Sequence, residues 1–294
     1  MYPPYLIALM LYLAIAGFTT KFEATFFYIW DVVLHVLMLH NIDSRTAYSI
    51  NGVFWTLAIE EQLYLAYFLL LFLRNRWGWR RTLAVCLLAR VVWFLASITM
   101  RQHFNIDIPV TEAAASHWFT WALGALSVEA MFGLVKLPAW CYRAKLAAVT
   151  LLASAGLTYL LPVIEFKRGL HDFLWLFLHP LWGLGFFFLM NRFVLAERRW
   201  RVAFQTPVVI RTLAAIGLFS YSLYLTHELV VMESYRFGFL GFSELATGLL
   251  VTTPAAIAFA WLFFQFAEKP YLSTRSVRQG PARAPADAVA ALDA

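Results

Sequence analysis

VFWTLAIEEQLYLAYFLLLFL, Val53–Leu73, is long and apolar enough to cross a bilayer, yet it carries Glu60, Glu61 and Gln62 side by side. A run of about 20 such residues reads as a membrane-spanning helix. A carboxylate at the centre of one costs roughly 2.5–3.5 kcal/mol on insertion scales. The pair therefore faces a polar cavity, lies near the membrane surface, or does chemistry. Both glutamates sit about two turns inside the apolar start, which is deep for charges that only complement a helix N-terminus.

The composition extends this reading to the whole chain. Of 294 residues, 62% are hydrophobic and only 14% charged, against roughly 25% charged in soluble domains. The mean hydropathy of +0.69 excludes an ordinary soluble globular protein. Aromatics reach 18%, which suits interfacial belts and helix packing in lipid. Cys86 and Cys141 have no metal or redox spacing and are expected as free thiols. MYPPYLIALM has no basic region ahead of its apolar stretch, so no cleavable signal peptide is visible.

Eight apolar spans follow from the pattern, at about 4–20, 53–73, 81–99, 115–135, 145–161, 172–190, 211–233 and 244–267. A ninth apolar stretch, 24–41, carries Asp31, His35 and His40 and is expected as a short interfacial helix. With the N-terminus inside, the cytoplasmic loops hold Arg74, Arg76, Arg80, Arg81, Lys136, Arg143, Lys145, Arg192, Arg198, Arg199, Arg201, Arg211, Lys269, Arg275, Arg278 and Arg283. The opposite side holds only Lys21, Arg45, Arg101, Lys167, Arg168 and Arg236. This alternation supports an all-α polytopic membrane protein with both termini cytoplasmic. Residues 1–272 form one transmembrane domain, and 273–294, rich in Ala, Pro and Asp, reads as a disordered cytoplasmic tail. Neither an internal repeat nor a glycine-rich phosphate loop is visible.

Three constellations carry candidate chemistry. In NGVFWTLAIEEQLYL, Glu60 and Tyr64 share a face at i,i+4, as do Glu61 and Tyr64 at i,i+3, with Trp55 and Thr56 one turn earlier. In GLFSYSLYLTHELVV, the residues Ser220, Tyr221, Tyr224, His227 and Glu228 fall at spacings of three and four and are expected to form one polar stripe. A lone intramembrane histidine is often a hydrogen-bonded packing residue, but each accompanying phenol also needs a partner in a dry environment. RNRWGWRR, 74–81, either obeys the positive-inside bias or, through Arg80 and Arg81, holds the phosphates of a cytoplasmic donor; the spacing does not separate the two. Arg90, Glu129, Asp172 and His179 are further polar residues in or near spans. His35, His40, His103, His117 and His171 offer no zinc-ligand spacing on a helix, so no metal site is expected.

NGVFWTLAIEEQLYL resembles the N-G-x-x-W-[ST]-L-x-x-E-x-x-[FY]-Y motif of the acyltransferase-3 family, the membrane O-acyltransferases that decorate bacterial surface polysaccharides and related molecules. IGLFSYSLYLTHELVV looks like that family's late G-x-x-S-Y-x-[IL]-Y-L-x-H segment, FAEKPYL its closing E-[RK]-P-[FY] segment, and YPPYL the start of its third helix. The resemblance covers nearly the whole chain. Members usually have ten helices, the first two carrying an Arg-x10-His motif whose histidine is the proposed base. That motif is not in this sequence, and eight spans remain. The expectation is an N-terminally truncated member, by a start placed too late, as a gene remnant, or as an offshoot without standard activity.

What the resemblance implies is transfer of an acyl group, often acetyl, from a cytoplasmic acyl-CoA-type donor to a hydroxyl of a cell-surface or lipid-linked glycan, in the bacterial inner membrane. A histidine base oriented by a carboxylate would deprotonate the hydroxyl. Glu60 and Glu61 are the candidates for the carboxylate and His227 for a substitute base. Trp55, Tyr64, Ser220, Tyr221 and Tyr224 would bind substrate, and Arg80 and Arg81 the donor phosphates. No bound cofactor, metal or nucleic acid is expected; the partners are acyl-CoA as co-substrate, the acceptor and membrane lipid. The rival readings are an inactive or scaffold fragment of the family and a glycan-lipid transporter.

Overall fold

The computed structural model of the protein describes residues 2–15, 25–164, 168–200, 208–236 and 244–272. The expected tail, 273–294, lies outside the described residues, as do Lys21, Lys167, Arg201 and the side chains of Arg168, Arg198, Arg199 and Arg236. Among the described residues the secondary structure is helical throughout, with no strand. The chain divides into two compact units. One comprises Met1–Asn41, Arg45–Ala58 and Gln205–Ala282; the other comprises Ile42–Ser44, Ile59–Phe204 and Arg283–Ala294.

In the first unit α1 is Tyr2–Ile15. Pro3 and Pro4 stand in its first turn, where a missing N–H leaves no helical bond unmade. Tyr5, Ala8, Leu9 and Tyr12 are buried along one stripe of α1 and pack on Phe54, Leu57, Leu225, Leu229 and Phe263. The Tyr5 and Tyr12 rings meet Phe54 at 5.0 and 5.4 Å. Fully burying a side chain of this size contributes about 1.5–3 kcal/mol.

Helix α2, Thr25–Val36, ends in a turn at Met38, whose φ is 55°, and a 3-10 turn, His40–Ile42. The Tyr5 hydroxyl donates to the carbonyl of His35 at 3.0 Å, and that of Tyr2 to the carbonyl of Val36. Those bonds satisfy carbonyls that a helix end leaves open. His35 and His40 are fully buried with rings stacked at 3.9 Å. His35 pairs with Asp31 at 3.1 Å. The 24–41 stretch is thus a short helix whose polar residues point inward.

Helix α3, Phe54–Phe104, has 51 residues and breaks at Gly78, whose φ of 73° and ψ of 167° are not helical. Its first turn, to Ala58, belongs to the first unit and the remainder to the second. Unbroken, 51 residues would run about 77 Å, over twice the hydrocarbon thickness. The two expected spans 53–73 and 81–99 are its two arms. The break is braced in a specific way. Glu129 Oε2 accepts from Arg74 Nη2 at 2.7 Å, Arg74 Nε at 3.1 Å and Trp79 Nε1 at 2.7 Å, so one carboxylate ties residues on both sides of Gly78.

The second unit continues with α4, Ala114–Met131, α5, Ala144–Val163, and α6, Arg168–Trp200. Both α4 and α5 pack on α6. Phe119, Leu123, Leu126, Phe187 and Phe188 form the core with Cys86 and Cys141. Arg90 is 1% exposed. Its Nε donates to the carbonyl of Leu176 at 2.7 Å, Nη1 to Ser116 at 2.9 Å and Nη2 to Trp175 at 3.1 Å. The reason lies in α6. Pro180 has no N–H for the carbonyl four residues back, which is Leu176, and Arg90 supplies the missing donor.

The first unit closes with α7, Val208–Gly217, α8, Ser220–Arg236, α9, Glu244–Thr247, and α10, Thr253–Phe263, the last flanked by π-helical segments Gly248–Thr252 and Phe264–Glu268. The expected single span 211–233 is instead α7 and α8 with an 80° bend between them. Leu218 and Phe219 form the turn, and the Ser220 hydroxyl donates back to the Gly217 carbonyl at 2.9 Å. Among the described residues, four helices are long and apolar enough to cross a membrane: Phe54–Phe104, Ala144–Val163, Gly169–Ala196 and Gly248–Tyr271. Counting the bent pair makes five, and Tyr2–Ile15 is a shorter apolar helix. Leu65 and Phe68 are each 76% exposed while Arg90, Asn191 and Thr226 are buried, the inversion expected of a protein whose outer surface meets lipid.

Candidate functional site

Three separated sequence segments meet in the first unit. Asn51 is buried and its side-chain oxygen accepts the Val53 N–H at 2.7 Å, capping the entry to α3. Tyr224 of α8 donates to the Val53 carbonyl at 2.9 Å and also hydrogen-bonds Thr56 Oγ1. From the other side of α8, the buried Ser222 hydroxyl donates to Glu268 Oε2 at 2.5 Å. The N-G-x-x-W-T segment and the E-K-P segment are therefore both bonded to the S-Y-S-L-Y segment. Each bond is part-buried, so losing one partner costs about 1 kcal/mol.

A cavity of about 460 Å³ opens beside α8, lined by Ser220, Leu223, Tyr224, His227, Val231, Thr252, Thr253, Ala256 and Ile257. The π-helical segment places Thr252 there, the kind of irregularity that recurs at functional sites. His227 Nδ1 lies 3.1 Å from the carbonyl of Leu223 and 2.9 Å from that of Tyr224. A carbonyl only accepts, so Nδ1 carries a proton, and in the neutral ring the lone pair is then on Nε2.

The expected single stripe on α8 splits. Ser220, Tyr224 and His227 line the cavity. Tyr221 packs instead on the core with α1, and Glu228 faces Gly52, where a Cβ would lie 2.8 Å from its Oε1. At 100° per residue, positions 221 and 228 lie about a quarter turn from the 220–224–227 face, so spacings of three and four over eight residues do not hold all five together. Trp55 is half-buried, its ring edge-on to Tyr48 at 6.1 Å.

Glu60 and Glu61 lie in the second unit, on α3. Both are half-buried. Tyr64 is 43% exposed, lies within the field of both carboxylates, and packs edge-on against Trp121 at 6.4 Å. Arg80 and Arg81 are exposed just past the Gly78 break, whereas Arg74 is engaged by Glu129.

Residues that the spacing gave no role now have one. Asn51 caps α3, and Gly52 admits Glu228. Tyr12 Oη, Asn51 Nδ2 and Glu228 Oε2 are buried in one neighbourhood, with Tyr12 facing Asn51, the Leu229 backbone and Glu228. The N-G dipeptide was the available signal for the first two. Nothing in the sequence pairs Tyr12 with Glu228, which stand more than 200 residues apart. No group of three or more His, Cys, Asp or Glu among the described residues is arranged to hold a metal.

A helical multi-pass membrane protein whose three separated motifs are bonded together at one helix, with an open cavity beside it, is the class defined here. The family model described as Acyltransferase domain matches residues 1–265, and the chain belongs to this acyltransferase-3 family. No curated protein and no solved structure matches the chain.

Proposed function

We propose that the protein is a multi-pass O-acyltransferase of the bacterial inner membrane, moving an acyl group from a cytoplasmic acyl-CoA-type thioester to a hydroxyl of a cell-surface or lipid-linked glycan. Family membership supports acyl transfer. The observation that carries the site is His227, held in the cavity with Nδ1 protonated and Nε2 left as a base. Nε2 takes the acceptor hydroxyl proton as that oxygen attacks the thioester carbonyl. A C–O bond forms, the C–S bond breaks, and the thiolate leaves with the proton returned from Nε2. Backbone carbonyls already orient the imidazole, the task a carboxylate performs in other His-dependent sites. For Glu60, Glu61, Trp55 and Tyr64 the support is the family resemblance, which gives them a substrate-binding role. Arg80 and Arg81 would hold donor phosphates.

The test is transfer of labelled acyl groups by the purified chain in lipid nanodiscs to a lipid-linked glycan extract. His227→Gln is expected to lower kcat by about 100-fold or more, and the double variant Arg80→Ala, Arg81→Ala to raise KM for the donor about 10-fold with kcat unchanged. Undiminished turnover in His227→Gln would overturn the assignment of the base. Glycan movement across liposomes without any acyl donor would favour a transporter instead.

A further inference from the structure

The hydrogen-bond accounting of the cavity identifies what it can hold. Its side-chain donors are already committed. Ser220 donates to the Gly217 carbonyl, Tyr224 to the Val53 carbonyl, Thr252 to Ser234 Oγ at 3.2 Å, Thr253 to the Gly248 carbonyl at 2.8 Å, and His227 Nδ1 to carbonyls of its own helix. The rest of the lining is Leu223, Val231, Ala256 and Ile257. Among the described residues, Asp, Glu, Lys and Arg are missing from it.

A phosphate or carboxylate placed along the wall away from His227 would find no free side-chain donor and no fixed counter-charge among the described lining residues, and would lose part of its hydration there. Sugar hydroxyls and pantetheine amides would have their acceptor oxygens left unmet. A hydrocarbon chain loses nothing. At the same time, a base acts only within about 3 Å of the proton it takes. The thioester carbonyl attacked by that oxygen must then lie beside His227, and of its two substituents the acyl chain, not the amide-bearing thiol arm, suits the aliphatic wall.

We propose that this cavity is the acyl-chain pocket of the enzyme, that it selects uncharged aliphatic acyl groups longer than acetyl and excludes those ending in a carboxylate, and that Ala256 and Val231 set the accepted length. Ala256 is a small residue, 7% exposed, on α10, and Val231 belongs to α8. A larger side chain at either position enters the volume a chain would use. This assignment rests on the reading of His227 as base.

The experiment compares acetyl-, hexanoyl- and succinyl-CoA as donors for the full chain in nanodiscs, alongside equilibrium binding of the unreactive thioethers S-ethyl-CoA and S-hexyl-CoA. The wild type is expected to prefer hexanoyl over acetyl in kcat/KM and to reject succinyl. Ala256→Leu and, from the other helix, Val231→Phe are expected to lower the hexanoyl-to-acetyl ratio of kcat/KM about 10-fold or more. S-hexyl-CoA should bind more tightly than S-ethyl-CoA to the wild type, with that advantage lost in both variants. Should no transfer be detected while the length-dependent binding and its loss persist, the acyl pocket stands and the catalytic reading fails. Equal affinity for the two thioethers, an unchanged length profile in both variants, or efficient succinyl transfer overturns the pocket.

Discussion

Gly52 shows how a single residue links two distant segments. A Cβ at this position would lie 2.8 Å from Glu228 Oε1, closer than carbon and oxygen tolerate without displacement. The obstacle is the end of a flexible side chain, so Gly52→Ala is expected to lower stability by only about 0.5–1 kcal/mol as the Glu228 carboxylate shifts. The loss should shrink to well under half in a Glu228→Ala background, as a double-mutant cycle of thermal unfolding in detergent would read; equal losses in both backgrounds would mean that Glu228 is not the obstacle. His40 makes a separate case. Burial, then the adjacent His35 ring, push its imidazole down to about 3 from 6.5. The unfolded chain binds the extra proton between these values, so this contribution is complete above about pH 6.5 and is lost as pH falls toward 3. Between pH 7 and pH 4.5 the loss is expected to be about 2–3 kcal/mol at this site. Unfolding measured at both pH values in His40→Gln should show a correspondingly shallower acid decline than the wild type. The glutamates that mark the membrane helix were legible because a carboxylate among leucines has few explanations. Tyr12 and Glu228 were not, because a tyrosine in an apolar helix is unexceptional until its neighbour across the fold is known.

At the scale of helices, sequence periodicity located α5, α6 and both arms of α3, since each is a long apolar run bounded by charge. It did not reveal the bend between α7 and α8. IGLFSYS reads as continuous apolar chain, and the turn at Leu218 and Phe219 depends on Ser220 returning a hydrogen bond to Gly217, a local choice that hydropathy does not record. Arg90 is the complementary case. As an isolated charge in a span it was a weak functional candidate, and its three carbonyl partners give it a structural task that originates in Pro180. Arg90→Met should cost about 2–4 kcal/mol, because buried carbonyls lose their donor at about 1–3 kcal/mol each. In a Pro180→Ala background the restored N–H can serve the Leu176 carbonyl, and the cost should fall by about 1 kcal/mol. Thermal unfolding of the four proteins decides the matter: a strictly additive result would separate the arginine from the proline.

For the whole molecule, the alternation of basic loops and the broken α3 bear on the same question of how many times the chain crosses. The arms of α3 on either side of Gly78 are each about 36–39 Å long, enough for one crossing apiece with some tilt. The arginines at 74–81 stand at the turn between them, and the next basic loop, at 136–145, follows α4. If α4 returns through the bilayer, both loops lie on the cytoplasmic side and the 101–110 connection lies outside, as the charge bias requires. Replacing Cys86 and Cys141 with alanine and introducing Asn75→Cys, Gln102→Cys or Lys136→Cys, all at exposed positions, makes this measurable with a membrane-impermeant maleimide. Gln102→Cys should react in spheroplasts, and Asn75→Cys and Lys136→Cys only after the membrane is permeabilised. Reaction of Asn75→Cys and Gln102→Cys from the same side would reduce α3 to something other than two crossings and remove Arg80 and Arg81 from the donor's side. The opposite outcome puts them on the side from which the proposed thioester donor would come, with the basic patch at the inner end of an otherwise apolar pair of helices.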